Sequence, residues 1–299
     1  MHNRPVTLME NPNADRVRRV AQLAGRSAVR NRRRQFLAEG PQSAAEALRA
    51  HLGVLDLTEF ARQMWPKGET VAEVYYTARL ATQHPDLMDL INQLQSPVFI
   101  AETSDRVLQA MSDAVVHQNV VVVVNMPLES LKPPRQADLV AGLVRVQDPG
   151  NVGTILRAAD ASGADYAFAT PGTVDIFNPK TVRSTAGSLF HLPVYTRIRL
   201  DDFTEAFTGQ ILAADGYGDV TLDPNDTELL AMPTSWLFGN EGEGLNEPEL
   251  NGAHKRVAVP LYGLAESLNV ATAATICLYS SAMAQRRYEA SSNCTSQPT

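Results

Sequence analysis

Three short stretches in the second half of the chain decide its fold: residues 148–157 (DPGNVGTILR), 239–245 (GNEGEGL), and 259–261 followed by 267–269 (VPL, then SLN). The first predicts a turn at Pro149-Gly150 that leads into a helix, which the side-chain oxygen of Asn151 is suited to cap. The second follows the apolar residues 236–238 and is rich in glycine, which indicates a ligand lying close to the backbone. Each stretch alone is also explained by ordinary turn or capping chemistry, so their joint order along the chain carries the argument.

The glycine-rich stretch disfavours a phosphate ligand. It carries Glu241 and Glu243 and no lysine, and no G-x-x-x-x-G-K-S/T sequence occurs in the chain. Phosphate-binding loops rely on backbone N–H groups and usually on a lysine, so this loop better suits a neutral or cationic ligand. A nucleotide-binding dehydrogenase is also disfavoured, because the turn that would need G-x-G-x-x-G reads GNVGTI at residues 150–155.

Predicted strands and helices alternate around these stretches, which is the pattern of an α/β fold with a parallel sheet. Strands are predicted at residues 143–146, 166–169, 210–214, 236–238 and 257–259, an extended segment at 192–195, and helices at 152–162, 179–184, 201–207 and 268–287. Ligand loops in such a sheet follow the carboxyl ends of the strands. Ser267 is a natural cap for the last helix, whereas Asn269 is a poor helix-interior residue, which indicates a tertiary partner.

The first half of the chain predicts a smaller α/β domain at residues 14–125. Helices are predicted at 15–35, 43–51, 70–82, 86–95 and 104–113, a short strand and turn at 35–41, and further strands at 54–57, 98–100 and 117–125, the last with five consecutive valines. We expect a flexible tail at 1–13, a proline-rich linker at 126–138, the second domain at 139–288 and a disordered tail at 289–299.

Eight arginines and no lysine lie between residues 16 and 34, and no acidic residue occurs from 17 to 38. A basic cluster in a protein of net charge −7 is expected where a polyanion binds, and the planar guanidinium group matches the geometry of phosphate. A solvated helix face explains the same cluster. Both interpretations stay open at this point.

Together and in this order, the three stretches resemble the signature motifs of the SpoU (TrmH-like) branch of the SPOUT methyltransferases. These motifs are N-x-G-x-x-x-R, G-N-E-x-x-G-L, and a proline-containing strand end followed by S-L-N, and the resemblance covers residues 143–288. Residues 182–193 (VRSTAGSLFHLP) are similar to the segment that joins the first two motifs. The preceding domain resembles, at residues 36–40 (FLAEG), the L30e-like RNA-binding domain of many ribosomal-RNA members.

The resemblance implies a fold, an assembly and a cofactor. The fold would be a parallel-sheet α/β SPOUT domain whose C-terminal part forms a trefoil knot, preceded by the smaller L30e-like domain, in a homodimer. The cofactor would be S-adenosylmethionine, whose cationic sulfonium and lack of phosphate agree with an acidic glycine loop. The residues expected to contact it are Gly239, Val259, Leu261, Leu268 and Ala214.

The resemblance also implies a reaction, the transfer of a methyl group to a ribose 2′-hydroxyl of RNA. Arg157 is the residue to which the family assigns catalysis, either as a base or as an organiser of a nearby phosphate, and a guanidinium pKa above about 12 disfavours the simple base. Asn151, Glu241, Ser267 and Asn269 would orient Arg157, the ribose or the cofactor. The expected RNA contacts are Arg26, Arg30, Arg32, Arg33, Arg34 and Arg183.

The additional first domain favours ribosomal RNA, and above all 23S ribosomal RNA, as substrate. Transfer-RNA 2′-O-methylation and a non-catalytic RNA-binding role are the alternatives, and both housekeeping and antibiotic-resistance methylation fit. No apolar run approaches the roughly 18 residues that span a membrane, and the N-terminus lacks a signal-peptide core, so we expect a cytoplasmic protein with no membrane partner. Two cysteines and six scattered histidines lack ligand spacing, so no metal is expected.

Overall fold

The computed structural model describes residues 7–295, which form two compact units. Unit 1 comprises the residues up to Leu131 together with Asp175–His191, and unit 2 comprises Lys132–Val174 and the residues from Leu192 onward. A segment from the early part of the second half of the chain therefore belongs to the first unit.

Each unit contains one sheet. The strands of unit 1 are β1 (Thr7–Met9), β2 (Gln35–Glu39), β3 (Val71–Tyr76), β4 (Phe99–Thr103) and β5 (Val120–Asn125), in the order β1-β4-β3-β5-β2. The strands of unit 2 are β6 (Leu139–Leu143), β7 (Tyr166–Ala169), β8 (Val194–Thr196), β9 (Gln210–Ala214), β10 (Val220–Thr221), β11 (Thr234–Phe238) and β12 (Lys255–Ala258), in the order β10-β12-β9-β11-β6-β7-β8.

The helices follow the strands in alternation. They are α1 (Asp15–Gly25), α2 (Ser27–Arg33), α3 (Pro41–Leu52), α4 (Glu59–Met64), α5 (Leu80–Gln83), α6 (Pro85–Gln93), α7 (Asp105–Met111), α8 (Pro149–Ser162), α9 (Pro179–Ser184), α10 (Leu200–Ala206), α11 (Thr227–Leu230), α12 (Glu247–Asn251) and α13 (Val270–Thr295), with a 3-10 turn at Ser188–Phe190. Of these, α9 and the 3-10 turn belong to unit 1.

The valine run of β5 forms the centre of unit 1. It pairs antiparallel with β2 on one side and β3 on the other, and Val120 to Val124 are all buried. Because side chains alternate along a strand, Val121 and Val123 pack in the same core as Val17 and Val20 of α1, and the valines between them face the side that α3 covers. Each buried valine contributes roughly 1.5–3 kcal/mol to the stability of this core.

Four predictions for the first half are wrong in detail. Residues 71–76 form β3 rather than part of a helix at 70–82, because VAEVYY is rich in β-branched and aromatic residues and lies between two strands. Residues 54–57 form no strand, since they follow the left-handed cap at Gly53. Thr7–Met9 pairs with β4, so only residues 1–6 of the predicted tail lie outside the described chain. The helix predicted at 15–35 is broken by the extended backbone of Arg26.

Aromatic rings hold Asp175–His191 in unit 1. Phe177 packs against Phe36 with ring centroids 4.9 Å apart, and Phe190 packs against Trp65 at 5.0 Å. The indole Nε1 of Trp65 donates a hydrogen bond to the carbonyl of Leu189 at 3.1 Å, in a buried position. The core of unit 1 is thus completed by residues far from it in sequence.

The sheet of unit 2 is parallel throughout, which confirms the predicted fold class. Helices α8 and α13 pack against each other and against its central strands. Two boundaries differ from the prediction. The first strand ends at Leu143 and does not continue to residue 146, because Arg145 takes a left-handed conformation with φ of 57°. The last helix continues to Thr295, so the tail predicted at 289–299 is helical as far as the described chain extends.

Candidate active site

The three sequence stretches meet at one edge of the sheet of unit 2. In the strand register, Phe238 at the end of β11 lies opposite Leu143 of β6 and Ala214 of β9, and Ala214 in turn lies opposite Val257 of β12. The chain therefore leaves four neighbouring parallel strands at the same carboxyl edge. Residues 148–157, 239–245 and 259–261 follow three of these strand ends, where an α/β fold places its ligand loops.

The glycine loop folds back on itself. Asn240 and Gly244 exchange two backbone hydrogen bonds, of 3.1 and 2.9 Å, and the Asn240 side-chain oxygen accepts from the backbone N–H groups of Gly242 and Glu243. Gly239 is buried against the returning chain, and a Cβ atom there would lie 2.5 Å from the carbonyl carbon of Gly244. The loop thus presents backbone rather than side chains at the end of β11.

Glu241 joins the glycine loop to the first stretch. Its carboxylate accepts hydrogen bonds from the backbone N–H of Gln147 at 3.0 Å, the backbone N–H of Asp148 at 2.9 Å and the Nδ2 of Asn151 at 3.0 Å. Partial burial raises the pKa of Glu241, but these donors outweigh burial and the pKa lies below its ordinary value. Glu241 is therefore an ionised anchor at neutral pH.

Asn151 and Asn269 are brought together, and Asn151 does not cap α8 as predicted. The side chain of Asp148, not Asn151, caps α8 by accepting from the backbone N–H groups of Gly150 and Asn151. The Oδ1 of Asn151 accepts instead from the Nδ2 of Asn269 at 2.9 Å, so the predicted tertiary partner of Asn269 exists. The Oδ1 of Asn269 accepts from the N–H of Ala271, which makes Asn269 the cap of α13.

Arg157 and Ser267 lie outside this network. Arg157 is exposed on α8, and within the described residues no hydrogen bond or ion pair engages its guanidinium. Ser267 is exposed in the loop before α13 and does not cap that helix, which begins three residues later at Val270. The structure therefore links Asn151, Glu241 and Asn269 directly and leaves Arg157 free to meet a ligand.

The residues expected to contact the cofactor occupy the same edge. Ala214 ends β9, Gly239 follows β11, and Val259 follows β12. Val259 and Leu268 are partly buried, and the side chain of Leu261 is 40% exposed. Backbone groups at three adjacent strand ends could therefore line one ligand.

Arg145 is a residue of this site that the sequence interpretation missed. Its guanidinium forms a two-point ion pair with Glu249, of 2.7 and 2.9 Å, and also contacts Glu243 and the carbonyl of Gly244, both at 3.2 Å. One sequence feature could have revealed it, because Arg145 is the only charged residue among the apolar residues 143–146. A charge inside an apolar segment usually requires a partner.

The arginines of unit 1 do not act as one cluster. Arg30 is only 2% exposed and pairs with Asp175 at 2.6 Å, while Arg183 pairs with the buried Glu39 at 2.7 Å. Arg34 pairs with Glu129 at 2.6 Å. The expectation that Arg30 lies on an RNA-binding surface is wrong, because its guanidinium is enclosed by its partners.

Three of the predicted RNA contacts remain exposed: Arg26, Arg32 and Arg33. Within the described chain, no ion pair or hydrogen bond engages their guanidinium groups; Arg26 precedes α2, and Arg32 and Arg33 lie in its last turn. Neither a group of metal-ligating side chains nor a helix long and apolar enough to cross a membrane occurs among the described residues.

Similarity to known proteins agrees with this geometry. Residues 138–279 match the model of the SpoU rRNA Methylase family. The chain is 40% identical over 183 residues to the 23S rRNA (guanosine(2553)-2′-O)-methyltransferase RlmP of Bacillus subtilis, which covers 59% of this chain and 69% of that protein. It is 37% identical over 170 residues to a 23S rRNA (uridine(2479)-2′-O)-methyltransferase of Streptomyces viridochromogenes, which covers 54% of this chain and 58% of that protein.

Solved structures extend the similarity to nearly the whole chain. The SpoU methyltransferase AviRb of Streptomyces viridochromogenes, in complex with the cofactor AdoMet, superposes with a TM-score of 0.75 at 28% identity, over 92% of this chain and 98% of that chain. With motifs, site geometry and relatives in agreement, the chain belongs to the SpoU rRNA methylase family.

Proposed function

We propose that this protein is an S-adenosylmethionine-dependent methyltransferase that modifies a ribose 2′-hydroxyl of 23S ribosomal RNA. The observation that carries the proposal is the network in which Glu241 and Asn269 meet on Asn151, since it assembles all three motif stretches at one sheet edge. Both curated relatives named above methylate 23S ribosomal RNA at a 2′-oxygen. An RNA substrate of this kind also favours a cytoplasmic location.

The chain's own residues fit S-adenosylmethionine. Gly239 lets the returning chain pack against the end of β11 only because it has no Cβ, so backbone groups line this edge, and the adjoining loop carries carboxylates, which suit a sulfonium cation and not a phosphate. Ala214, Val259, Leu261 and Leu268 would line the same space. When bound, the cofactor supplies an electrophilic methyl group.

Arg157 would hold the RNA. Its exposed guanidinium presents a planar set of N–H donors, which suits the binding of a phosphate beside the target ribose. Holding the ribose in place aligns the 2′-oxygen for attack and stabilises charge that develops there. Glu241 is ionised and already accepts three hydrogen bonds, so its role is to position Asn151 and the first loop. Ser267 is a further candidate contact to substrate.

Arg26, Arg32 and Arg33 would provide an RNA-binding surface on unit 1, in a domain that we still expect to be L30e-like. They are exposed and positively charged in a chain of net charge −7. Contacts to phosphate make RNA affinity fall as salt rises.

We also propose that the protein is a homodimer whose unit 2 contains the trefoil knot of its family. Ile276, Tyr279 and Met283 are exposed on α13 at intervals of three and four residues, so they form one apolar stripe. A second copy of the chain would cover this stripe. Sedimentation analysis tests the proposal: wild type should be dimeric and Met283→Glu weakened, and a monomeric wild type would contradict it.

Methyl transfer from labelled cofactor to bulk RNA tests the proposed activity. Wild type should label 23S ribosomal RNA, and Arg157→Ala should lose most of the rate at saturating cofactor. Arg106→Ala, an exposed helical arginine of unit 1, is the matched control and should retain it. Equal labelling by wild type and Arg157→Ala would refute the assigned site. If only transfer RNA is labelled, transfer RNA is the substrate in place of ribosomal RNA. If no RNA is labelled although the protein binds RNA, a non-catalytic role is favoured.

A further inference from the structure

Arg145 occupies an unusual backbone position between β6 and the first loop. Its φ of 57° lies in the left-handed region, which residues other than glycine and asparagine seldom occupy. A glycine would adopt this conformation without strain, so the turn itself does not require arginine. The reason for an arginine here must therefore lie in its side chain.

The side chain of Arg145 holds the far end of the glycine loop. Its Nη2 donates to the carbonyl of Gly244 at 3.2 Å, and Nε and Nη2 bind the two carboxylate oxygens of Glu249 on α12. The side chain of Glu249 is only 13% exposed and that of Arg145 25%, so solvent screens this pair weakly. A contact of 3.2 Å to the exposed Glu243 adds a third anchor.

The main chain of Arg145 holds the near end of the same loop. Its carbonyl accepts a hydrogen bond from the Nδ2 of Asn240 at 3.1 Å. Asn240 and Gly244 are the two residues that close the loop, so Arg145 forms hydrogen bonds with both of its ends. Two and three residues further on, the N–H groups of Gln147 and Asp148 bind Glu241 from the middle of the loop.

Hydrogen bonds therefore hold the loop against one short segment, residues 145–148, at three positions: Asn240, Glu241 and Gly244. Gly244, which Arg145 holds, is the residue against which the buried Gly239 packs. Moving Gly244 would change the backbone surface at the end of β11. The same displacement would act on Glu241 and through it on Asn151.

We propose that Arg145 is a positioning residue that fixes the glycine loop against the first loop and thereby sets the affinity for S-adenosylmethionine. The inference rests on the proposed function, since it names a residue that acts through Gly239 and Gly244 on the same site. It concerns cofactor binding and predicts little effect on RNA affinity.

The pair is charged under assay conditions. Burial opposes ionisation of Glu249, but hydrogen bonds from Arg145 and from the backbone of Asn246 hold its pKa below the ordinary value. Hydrogen bonding to Glu249 raises the pKa of Arg145. The clamp should therefore stay constant from pH 6 to 9, and any pH dependence of cofactor binding in that range must come from other groups.

Three substitutions distinguish the effect of the guanidinium group from the effect of the left-handed backbone conformation. Arg145→Gly removes the side chain and relieves the left-handed strain, Arg145→Ala removes the side chain and keeps the strain, and Arg145→Lys keeps the charge without the two-point geometry. We expect the dissociation constant for S-adenosylmethionine, measured by calorimetry, to rise at least about tenfold in both Gly and Ala variants and less in Lys.

Kinetic and stability measurements distinguish an effect on cofactor binding from a general loss of stability. The KM for the cofactor should rise in Arg145→Gly by a larger factor than kcat at saturating cofactor falls. The KM for RNA should change little, and the melting temperature of Arg145→Gly should exceed that of Arg145→Ala. Wild-type affinity in Arg145→Gly would overturn the inference, as would losses that only follow the melting temperature. If wild type itself binds no S-adenosylmethionine, the proposed function fails first, and this outcome is distinct from equal binding by wild type and variants.

Discussion

Replacing Gly239 by alanine tests whether the close approach of two backbone segments builds the cofactor site. A Cβ atom at this position would lie 2.5 Å from the carbonyl carbon of Gly244, 2.6 Å from the N of Leu245 and 2.7 Å from the O of Gly244. All three are backbone atoms, so no side chain can rotate away. The loop itself must move.

The size of the movement follows from these distances. Ordinary Cβ contacts begin near 3.4 Å, so the nearest backbone atom must retreat by about 0.9 Å, the difference between 3.4 and 2.5 Å. Overpacking of this kind costs about 1–3 kcal/mol of stability. For a unit of about 150 residues this is a fall of roughly 2–4 °C in Tm per kcal/mol. A displacement near 1 Å at the cofactor loop should also weaken cofactor binding.

Calorimetric titration with S-adenosylmethionine and thermal unfolding measure the two effects. Gly242→Ala is the matched control in the same loop, because its Cβ would find only the side-chain oxygen of Asn240, at an ordinary 3.6 Å. We expect Gly242→Ala to bind as wild type does and Gly239→Ala to bind at least tenfold more weakly. Equal affinity in the two variants would refute the assignment of Gly239 to the cofactor site.

Three further predictions test other parts of the structure. Asn269→Ala removes the cap of α13 and the hydrogen bond to Asn151, so it should lower the free energy of unfolding by about 1 kcal/mol and reduce kcat. Ser267→Ala is the control and should leave the free energy of unfolding unchanged. If urea unfolding shows Ser267→Ala to be the less stable variant, the capping assignment is contradicted. Ser235 Oγ is a buried polar atom without a partner among the described residues, so Ser235→Ala should raise the free energy of unfolding by ~1 kcal/mol, while Ser281→Ala, which loses a 2.9 Å bond from Trp236, should lower it. Burial lowers the pKa of His51 below 6.5, and its Nδ1 accepts from the N–H of Val71 at 3.0 Å. The folded protein thus resists a proton that the unfolded chain accepts, so stability should be fully present above pH 6.5 and decline below it, and His51→Gln should show a smaller fall in Tm between pH 7.5 and 5.5 than wild type.

The sequence predicted strands well where local pattern and tertiary pairing agree. The valine run became β5, and residues 166–169 and 210–214 became β7 and β9. Residues 71–76 were misassigned because their apolar positions also fit helical spacing, and pairing with β4 and β5, distant in sequence, decided the outcome. The first strand of unit 2 was predicted too far along the chain, at residues 143–146. Val144 and Val146 are apolar and buried as strand residues are, although they lie beyond the end of β6.

The motifs predicted three residues that the structure brings together, and the catalytic roles assigned to them stay predictions. Motif order identified Asn151, Glu241 and Asn269, and their hydrogen bonds confirm that they meet. Arg145 was missed because its partner Glu249 lies 104 residues away, a separation that no local pattern encodes. The capping roles were misassigned for a different reason, since Asp148 and Asn269 are as good at capping as Asn151 and Ser267 and only geometry chooses among them.

The pattern of arginines in the sequence does not show which of them are buried in ion pairs and which are exposed. Arg30 and Arg183 differ from the exposed arginines only in their partners, Asp175 and Glu39, which lie 145 and 144 residues from them. Truncating either member would leave its partner charge poorly compensated in a partly or fully buried position, which is the costly way to break such a pair. Both pairs join Asp175–His191 to the rest of unit 1, so this segment is part of that unit's fold. A fragment ending at residue 125 would therefore expose the buried Phe36 and leave Glu39 without Arg183, although the sequence alone presents it as a complete domain.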